Sequence, residues 1–299
     1  MNGYRIAGIT RSNQYSPNHI GNDAAIFNET LRHLSGAGCH VTVYSEEQFL
    51  QADLVAETFV FNMARNKETI QKLIELEKQG TVVVNSGMGI ENCTRERMTR
   101  LLMANDVPHP RSLIVNTDED VSPFLNHSSF IPCWIKRGDF HAIHREDVSY
   151  VRHPEEGQNI LSEYALRGIR KAVINEHLQG DLIKFYGVAN TDFFYWFYPF
   201  DMQHSKFGLE QINGASKGIP FDEQYLRGIC QRASEVLGVK IYGGDCIIAE
   251  DGSIRIIDFN DWPSFAPCRE QAAPYIAQCI LQEAALGSFR VVNHTLMLR

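Results

Sequence analysis

Asp245, Asp258 and Asn260 are hard oxygen donors of the kind that hold Mg²⁺ or Mn²⁺, and the segment from Gly243 to Asn260 explains how they could meet. Two Ile-rich runs of alternating polarity flank Asp251-Gly252, a pair suited to a two-residue hairpin turn with both residues at φ > 0. In that register Glu250 faces Ser253, Ala249 faces Ile254, Ile247 faces Ile256 and Asp245 faces Asp258. Asn260 follows on the same face, because strand side chains repeat with period two. Facing residues have Cβ atoms roughly 4.5–5.5 Å apart, so the two carboxylates repel unless a cation neutralises them. Ile247 and Ile256 would share their face and partly bury it. The competing reading is an exposed hairpin with solvated acids, and a one-residue slip would send one acid to the opposite face.

The rest of the chain must supply whatever that site acts on. With 299 residues, 44% apolar and 21% charged, the composition is that of a soluble globular protein with one large domain or two to three smaller ones. A formal net charge of −8 gives no bulk attraction to nucleic acid or an anionic membrane, so a polyanionic ligand needs a local basic pocket. No apolar run approaches membrane-spanning length, and the start leads directly into a strand rather than a signal peptide, so a cytoplasmic protein is expected. The seven cysteines contain no CxxC pair and read as reduced, packed thiols, with Cys268 beside Arg269 as the alternative, a nucleophile.

Over the first ninety residues strands near 4–9, 41–44, 58–61 and 81–84 alternate with helical patterns, the signature of a parallel sheet whose C-terminal loops hold ligands. Those loops are 10–19, 62–65 and 85–88. A helix near 94–105 leads to Val107-Pro108-His109-Pro110, punctuation between domains. Short strands, a helix near 155–170 and two strands at 171–178 and 182–189 follow. An aromatic strand at 192–198, a helix at 222–237, the hairpin and a last helix at 270–285 complete the chain. The expected architecture is α/β, with α+β character in the part beyond the first domain, divided as 1–92, 93–187 and 188–299.

Taken in this order, the pieces resemble the ATP-grasp superfamily over nearly the whole chain. The resemblance implies that Asp245, Asp258 and Asn260 hold the magnesium ions of ATP, and that Asp261-Trp262-Pro263-Ser264-Phe265 is similar to the family's Asn-x-x-Pro-Gly continuation, with Ser264 for Gly. Glu96-Arg97 stands where the family usually has Asp-Lys, so Arg97 is expected on phosphate. Lys136 matches the strand lysine that meets the α- and β-phosphates. The glycine-rich phosphate loop is replaced by Gly138-Asp139-Phe140-His141-Ala142-Ile143-His144, leaving His141, His144 or Arg137 as side-chain donors. Asn175-Glu176-His177-Leu178 resembles the hinge that binds adenine through backbone groups, with Glu176 near the amino group. Asp181 and the Lys184–Val188 segment resemble the stretch after the hinge in ribosomal-protein glutamate ligases, glutathione synthetases and inositol phosphate kinases.

These residues support phosphoryl transfer, in which positioning and charge neutralisation dominate. Lys136, Lys184 and Arg97 would share phosphate charge left by the metal, with His141, Lys184 and Arg269 closest to the chemistry. The acceptor site is expected from Arg11, Ser16, Asn18, His19 and Arg65 in first-domain loops together with Arg269, arginine being suited to carboxylates. The first reading is an ATP- and Mg²⁺-dependent ligase that joins a small-molecule or peptide carboxylate to an amine or thiol through an acyl phosphate. A small-molecule kinase resembling inositol phosphate kinases is the second, and a nucleotide-binding regulator without turnover the third.

Overall fold

The computed structural model describes residues 4–15, 20–53, 57, 59–127, 130–140, 144–200 and 212–297, with backbone alone at 127 and from 288 onward. Three four-stranded sheets organise them. The first is parallel, in the order β2 (His40–Tyr44), β1 (Arg5–Ile9), β3 (Phe59–Asn62), β4 (Val82–Val84). It is flanked by α1 (Ile20–Gly36), α2 (Glu46–Gln51), α3 (Lys67–Lys78) and α4 (Gly87–Asn92). α5 (Arg95–Ala104) then leads to the second sheet, which is antiparallel and ordered β5 (Ser112–Asn116), β8 (Lys171–Glu176), β6 (Cys133–Arg137), β7 (Val148–Val151). Its helices are α6 (Ser122–His127) and α7 (Pro154–Leu166).

The third sheet is also antiparallel, ordered β10 (Phe194–Phe197), β9 (Asp181–Val188), β11 (Ile241–Ile248), β12 (Ile254–Asp261). α8 (Glu223–Leu237) packs with α5 on one face of it. The long α9 (Arg269–Met297) packs against α1 and the other face. β9, which the sequence pattern groups with the middle block, is thus hydrogen-bonded into the third sheet.

The cores show which parts are built together. Phe27 and Phe61 from the first sheet layer share one cluster with Tyr186, Trp262, Phe265 and the buried face of α9. The second sheet closes over its own cluster, including Cys133, Ile135, Leu161, Tyr164 and Ile174. All seven cysteines are free and buried, as a packed-thiol reading requires, and burial pushes the Cys268 thiol up to about 12, which removes it as a nucleophile.

Polar side chains fix the seam between the first and third sheets. Asn85, 1% exposed, donates through Nδ2 to the Ile241 carbonyl at 2.7 Å and accepts from the Lys240 and Ile241 N–H groups at 2.8 and 2.9 Å. Glu46, buried at the start of α2, accepts from the Ser12, Arg65 and Asn66 N–H groups and so sets the loops after β1 and β3. Asn85→Ala would strand two buried donors and an acceptor, each costing about 1–3 kcal/mol after partial relaxation. The expected loss is at least about 3 kcal/mol of stability. Urea denaturation checks it, and an unchanged midpoint would show that this seam is not held by Asn85.

Candidate functional site

The hairpin brings Asp245 opposite Asp258 by a route different from the two-residue turn. Only Gly252 of the turn pair has positive φ, at 77°, and Ala249 pairs with Ser253 through an N–H···O bond of 2.9 Å, so the loop has three residues ending in a left-handed glycine. The strands then run Ile248 opposite Ile254, Ile247 opposite Arg255 and Cys246 opposite Ile256, one residue out of the expected register. A β-bulge at Ile257 inserts one extra residue and restores Asp245 opposite Asp258 and Gly243 opposite Asn260. The two offsets cancel at the acids and nowhere before them. Ile256 therefore lies with Cys246 in the core beneath α8, and Arg255 takes its expected place beside Ile247.

Across the third sheet Lys184, Asp245 and Asp258 form one row, and Tyr186, Gly243 and Asn260 the next. Lys184 Nζ donates to Asp245 Oδ1 at 2.8 Å. Tyr186 is buried, and burial, with a smaller contribution from Asp245, holds its hydroxyl well above the usual phenol range.

The bulge also ties the second sheet to the third. Because Ile257 leaves the ladder, its carbonyl is free to accept from Lys136 Nζ, at 3.1 Å. On the same outer rim of β12 the Ile256 N–H donates to the Pro108 carbonyl at 2.9 Å. The Ile256 carbonyl, an obligate acceptor, fixes the proton of His109 on Nδ1 at 2.7 Å. Burial depresses His109 to about 4, so it is a neutral packing group. Lys136 is 7% exposed; burial, then repulsion by Arg95, lowers its ammonium to about 8 against the pull of Asp258 and Asp245.

Arg95, which the sequence pattern did not single out, is the cation that reaches the acids from α5. The residue is 6% exposed and places Nη2 3.2 Å from Asp258 Oδ2, while Nε and Nη1 are buried without a hydrogen-bond partner among the described residues. Arg97, the expected phosphate ligand, lies nearly half a turn away around α5 and pairs with Glu91 at 2.6 Å on an exposed face. The signal was present in the spacing. Arg95, Met98, Thr99 and Leu102 are the buried stripe of α5, at i, i+3, i+4 and i+7, and Arg97 is off it.

Other expected ligands are occupied. Asp181, 3% exposed, accepts from the Lys217 and Ile219 N–H groups, both at 2.8 Å, and anchors the loop before α8. Arg11 donates to the Met63 and Trp262 carbonyls and pairs with Asp23 at 3.0 Å. Arg65 Nη1 lies 2.8 Å from Asp261 Oδ1, an ion pair too oblique for a hydrogen bond, and Nη2 donates to the Asp261 carbonyl. Arg11 and Arg65 therefore clasp the first sheet to the end of β12 instead of facing a ligand. Arg137 is held by Asp139 and Asp147, and the His144 N–H donates to Asp147.

At the hinge, the Glu176 carboxylate accepts from Arg111 Nε at 2.7 Å and lies 3.4 Å from Arg255 Nη1, which fixes its direction. Trp134 Nε1 donates to His177 Nδ1 at 3.1 Å, within an aromatic group that includes Tyr150. The Leu178 carbonyl accepts from Asn213. Arg269, at the start of α9, reaches Asn22 of α1 at 2.9 Å and keeps a buried Nε without a partner among the described residues. Ser16, Asn18, His19 and His141 lie outside the described residues. Tyr15 and Phe140, at the edges of those two loops, meet with ring centroids 5.6 Å apart.

Two antiparallel sheets thus close on a row of acids flanked by Lys136, Lys184 and Arg95, beside a parallel first domain. The fold occurs in solved structures. D-alanyl-alanine synthetase A from Vibrio cholerae superposes with a TM-score of 0.67 at 11% identity, covering 95% of this chain and 99% of that one. A RimK domain ATP-grasp protein from Sphaerobacter thermophilus gives 0.65 at 14% identity, covering 93% and 99%. This chain has the ATP-grasp fold. D-alanine–D-alanine ligase from Bacillus anthracis, complexed with ATP, is a further structural neighbour with a TM-score of 0.63 at 13% identity over 98% and 100% of the two chains. No family model matches the sequence, and no curated protein matches it either. Among the described residues no helix is long and apolar enough to cross a membrane.

Among the described residues no three His, Cys, Asp or Glu side chains gather as a metal site. Asp245 and Asp258 in one row, with the half-buried Asn260 in the next, nevertheless offer oxygen donors on one sheet that suit a hard cation shared with a ligand. The burial of Lys136 has a measurable consequence. The unfolded chain keeps this proton up to about 10.5 and the folded protein only to about 8, so the charge opposes folding fully below pH 8. That opposition fades between the two values. The stability of the wild type relative to Lys136→Met should therefore rise from pH 8 to 10.5, and a flat difference in urea midpoints would show that Lys136 is solvated.

Proposed function

We propose that this ATP-grasp protein is an ATP- and Mg²⁺-dependent ligase that activates a carboxylate as its acyl phosphate and passes the acyl group to an amine or thiol. The observation that carries the proposal is the convergence of Lys136, Lys184 and Arg95 on the Asp245–Asp258 pair. Three cations around two carboxylates suit a polyphosphate that arrives with a divalent ion. Asp245, Asp258 and Asn260 would hold Mg²⁺ or Mn²⁺, which when bound supplies charge neutralisation across the β- and γ-phosphates.

Lys136 and Arg95 would orient the phosphate chain from the second sheet and α5, and Lys184 would orient the transferred group from the third. The Glu176–Leu178 hinge would meet adenine through its backbone. The acceptor carboxylate oxygen attacks the γ-phosphorus and ADP leaves. The amine or thiol then attacks the carbonyl carbon, phosphate departs and the nucleophile loses its proton. None of these steps needs a protein nucleophile, in keeping with seven buried thiols.

Arg269 is the described cation left for the acceptor carboxylate, together with the loops that carry Ser16, Asn18, His19 and His141. The engagement of Arg11 and Arg65 in the seam argues against a polyphosphorylated acceptor and hence against the kinase reading. Two of the neighbours are named as D-alanine–D-alanine ligase and D-alanyl-alanine synthetase, and a third is an ATP-grasp ligase, PsnB, complexed with minimal precursor, which is consistent with ligase chemistry on a small or peptide carboxylate.

Screening with Mg-ATP against pools of amino acids, dipeptides and polyol phosphates tests the reading. ADP release that requires a carboxylate and an amine or thiol together, with a product of the joined mass, is expected. Release with a polyol phosphate alone would establish the kinase instead. Asp258→Asn should abolish turnover, by about 10³-fold or more, with an unchanged circular dichroism spectrum. Near-normal turnover in that variant would sink the metal assignment.

A further inference from the structure

Each acid of the metal pair already has a cation of this chain on it. Lys184 Nζ sits 2.8 Å from Asp245 Oδ1, and Arg95 Nη2 sits 3.2 Å from Asp258 Oδ2. Both pairs are largely buried: the Lys184 and Arg95 side chains are 16% and 7% exposed, and their acids 24% and 19%. Solvent screening is weak there, so the pairs are held more firmly than surface ion pairs.

We propose that Arg95 and Lys184 act as internal counter-ions that block the metal pair in the ligand-free protein, so that the divalent ion enters only as the nucleotide's polyphosphate draws them away. The inference rests on the ATP reading above and adds to it an obligatory coupling between the two ligands. A divalent ion approaching Asp245 and Asp258 alone meets two cations at hydrogen-bonding range of its ligands, and Lys136 close behind on the Ile257 carbonyl. A polyphosphate reverses the balance. Its oxygens offer the guanidinium and ammonium groups new acceptors, and the two buried N–H groups of Arg95 that lack partners among the described residues are available for them. Arginine suits this exchange better than lysine. Its planar fork can turn from Asp258 to phosphate oxygens and engage several N–H groups there at once, whereas an ammonium has no such fork.

By linkage, removing either counter-ion should raise the affinity for free metal in the absence of nucleotide. The experiment titrates Mn²⁺ into nucleotide-free wild type, Arg95→Gln and Lys184→Gln, reading bound Mn²⁺ by electron paramagnetic resonance. A second series contains a non-hydrolysable ATP analogue. Weak binding is expected for the nucleotide-free wild type, with each variant tighter by about 5- to 150-fold. Thermal melting confirms that each variant is folded, and Lys184→Gln decides alone should the more buried Arg95→Gln fail to fold.

Nucleotide-free wild type that binds Mn²⁺ as tightly as its folded variants overturns the counter-ion proposal, and so does wild type that binds Mn²⁺ as tightly without the analogue as with it, a comparison that needs no variant. The proposed function fails separately, and differently: no protein-bound Mn²⁺ with or without the analogue, in any form of the protein, would remove the metal site itself.

Discussion

Two carboxylates forced to face each other on neighbouring strands set the conditions that the rest of this molecule meets. At a separation of about 5 Å and an effective dielectric near 20 their repulsion is on the order of 3 kcal/mol, too much to leave unanswered in a domain of ordinary stability. Lys184 answers from the next strand of the same sheet, Arg95 from α5, and Lys136 from the second sheet. The counter-charges come from three separate parts of the chain. Electrostatics at the acids therefore helps to fix how those parts are assembled, in addition to what they bind.

The bulge at Ile257 connects the local and the global problem. It corrects the register so that Asp258 and Asn260 share the face of Asp245, and it releases a carbonyl that the ladder would otherwise use. That carbonyl takes the Lys136 ammonium. One irregular residue thus aims the acids and docks the lysine of the opposing sheet, which accords with the frequency of bulges beside functional sites. The neighbouring backbone is strained as well, with Trp262 and Phe265 at φ of 26° and 49°, values costly for bulky side chains. Both residues are fully buried in the core shared with the first domain, and that packing holds them in place.

Several polar residues with ligand-like chemistry serve the scaffold. Arg65, Glu46, Asn85 and Asp181 are buried, the Arg11 side chain is largely covered, and all five end on backbone groups or on a partner's charge from another element. Loops at the ends of parallel strands must satisfy their own N–H and carbonyl groups once they are covered, and these side chains do so. A loop position at the C-terminal edge of a parallel sheet is thus open to either use, and the type of residue does not separate a clasp from a ligand.

Element types and order were legible in the sequence, because periodicity and turn chemistry are local: the first four strands, the helices near residues 95, 154 and 223, and the hairpin lie within a few residues of where their patterns put them. The pairing of Asp245 with Asp258 was legible too, although through a turn one residue too short and a bulge that no local pattern announces. Arg95 was half legible, since its place on the buried stripe of α5 marks it as inward-facing while nothing along the chain says what it faces. The partners were decided by tertiary structure alone. Whether Arg11, Arg65 or Asp181 meets a ligand or a backbone, and which cation reaches Asp258, depends on contacts between residues as many as 251 positions apart. Such contacts follow from how the three sheets close on one another, and no local propensity or spacing encodes that closure.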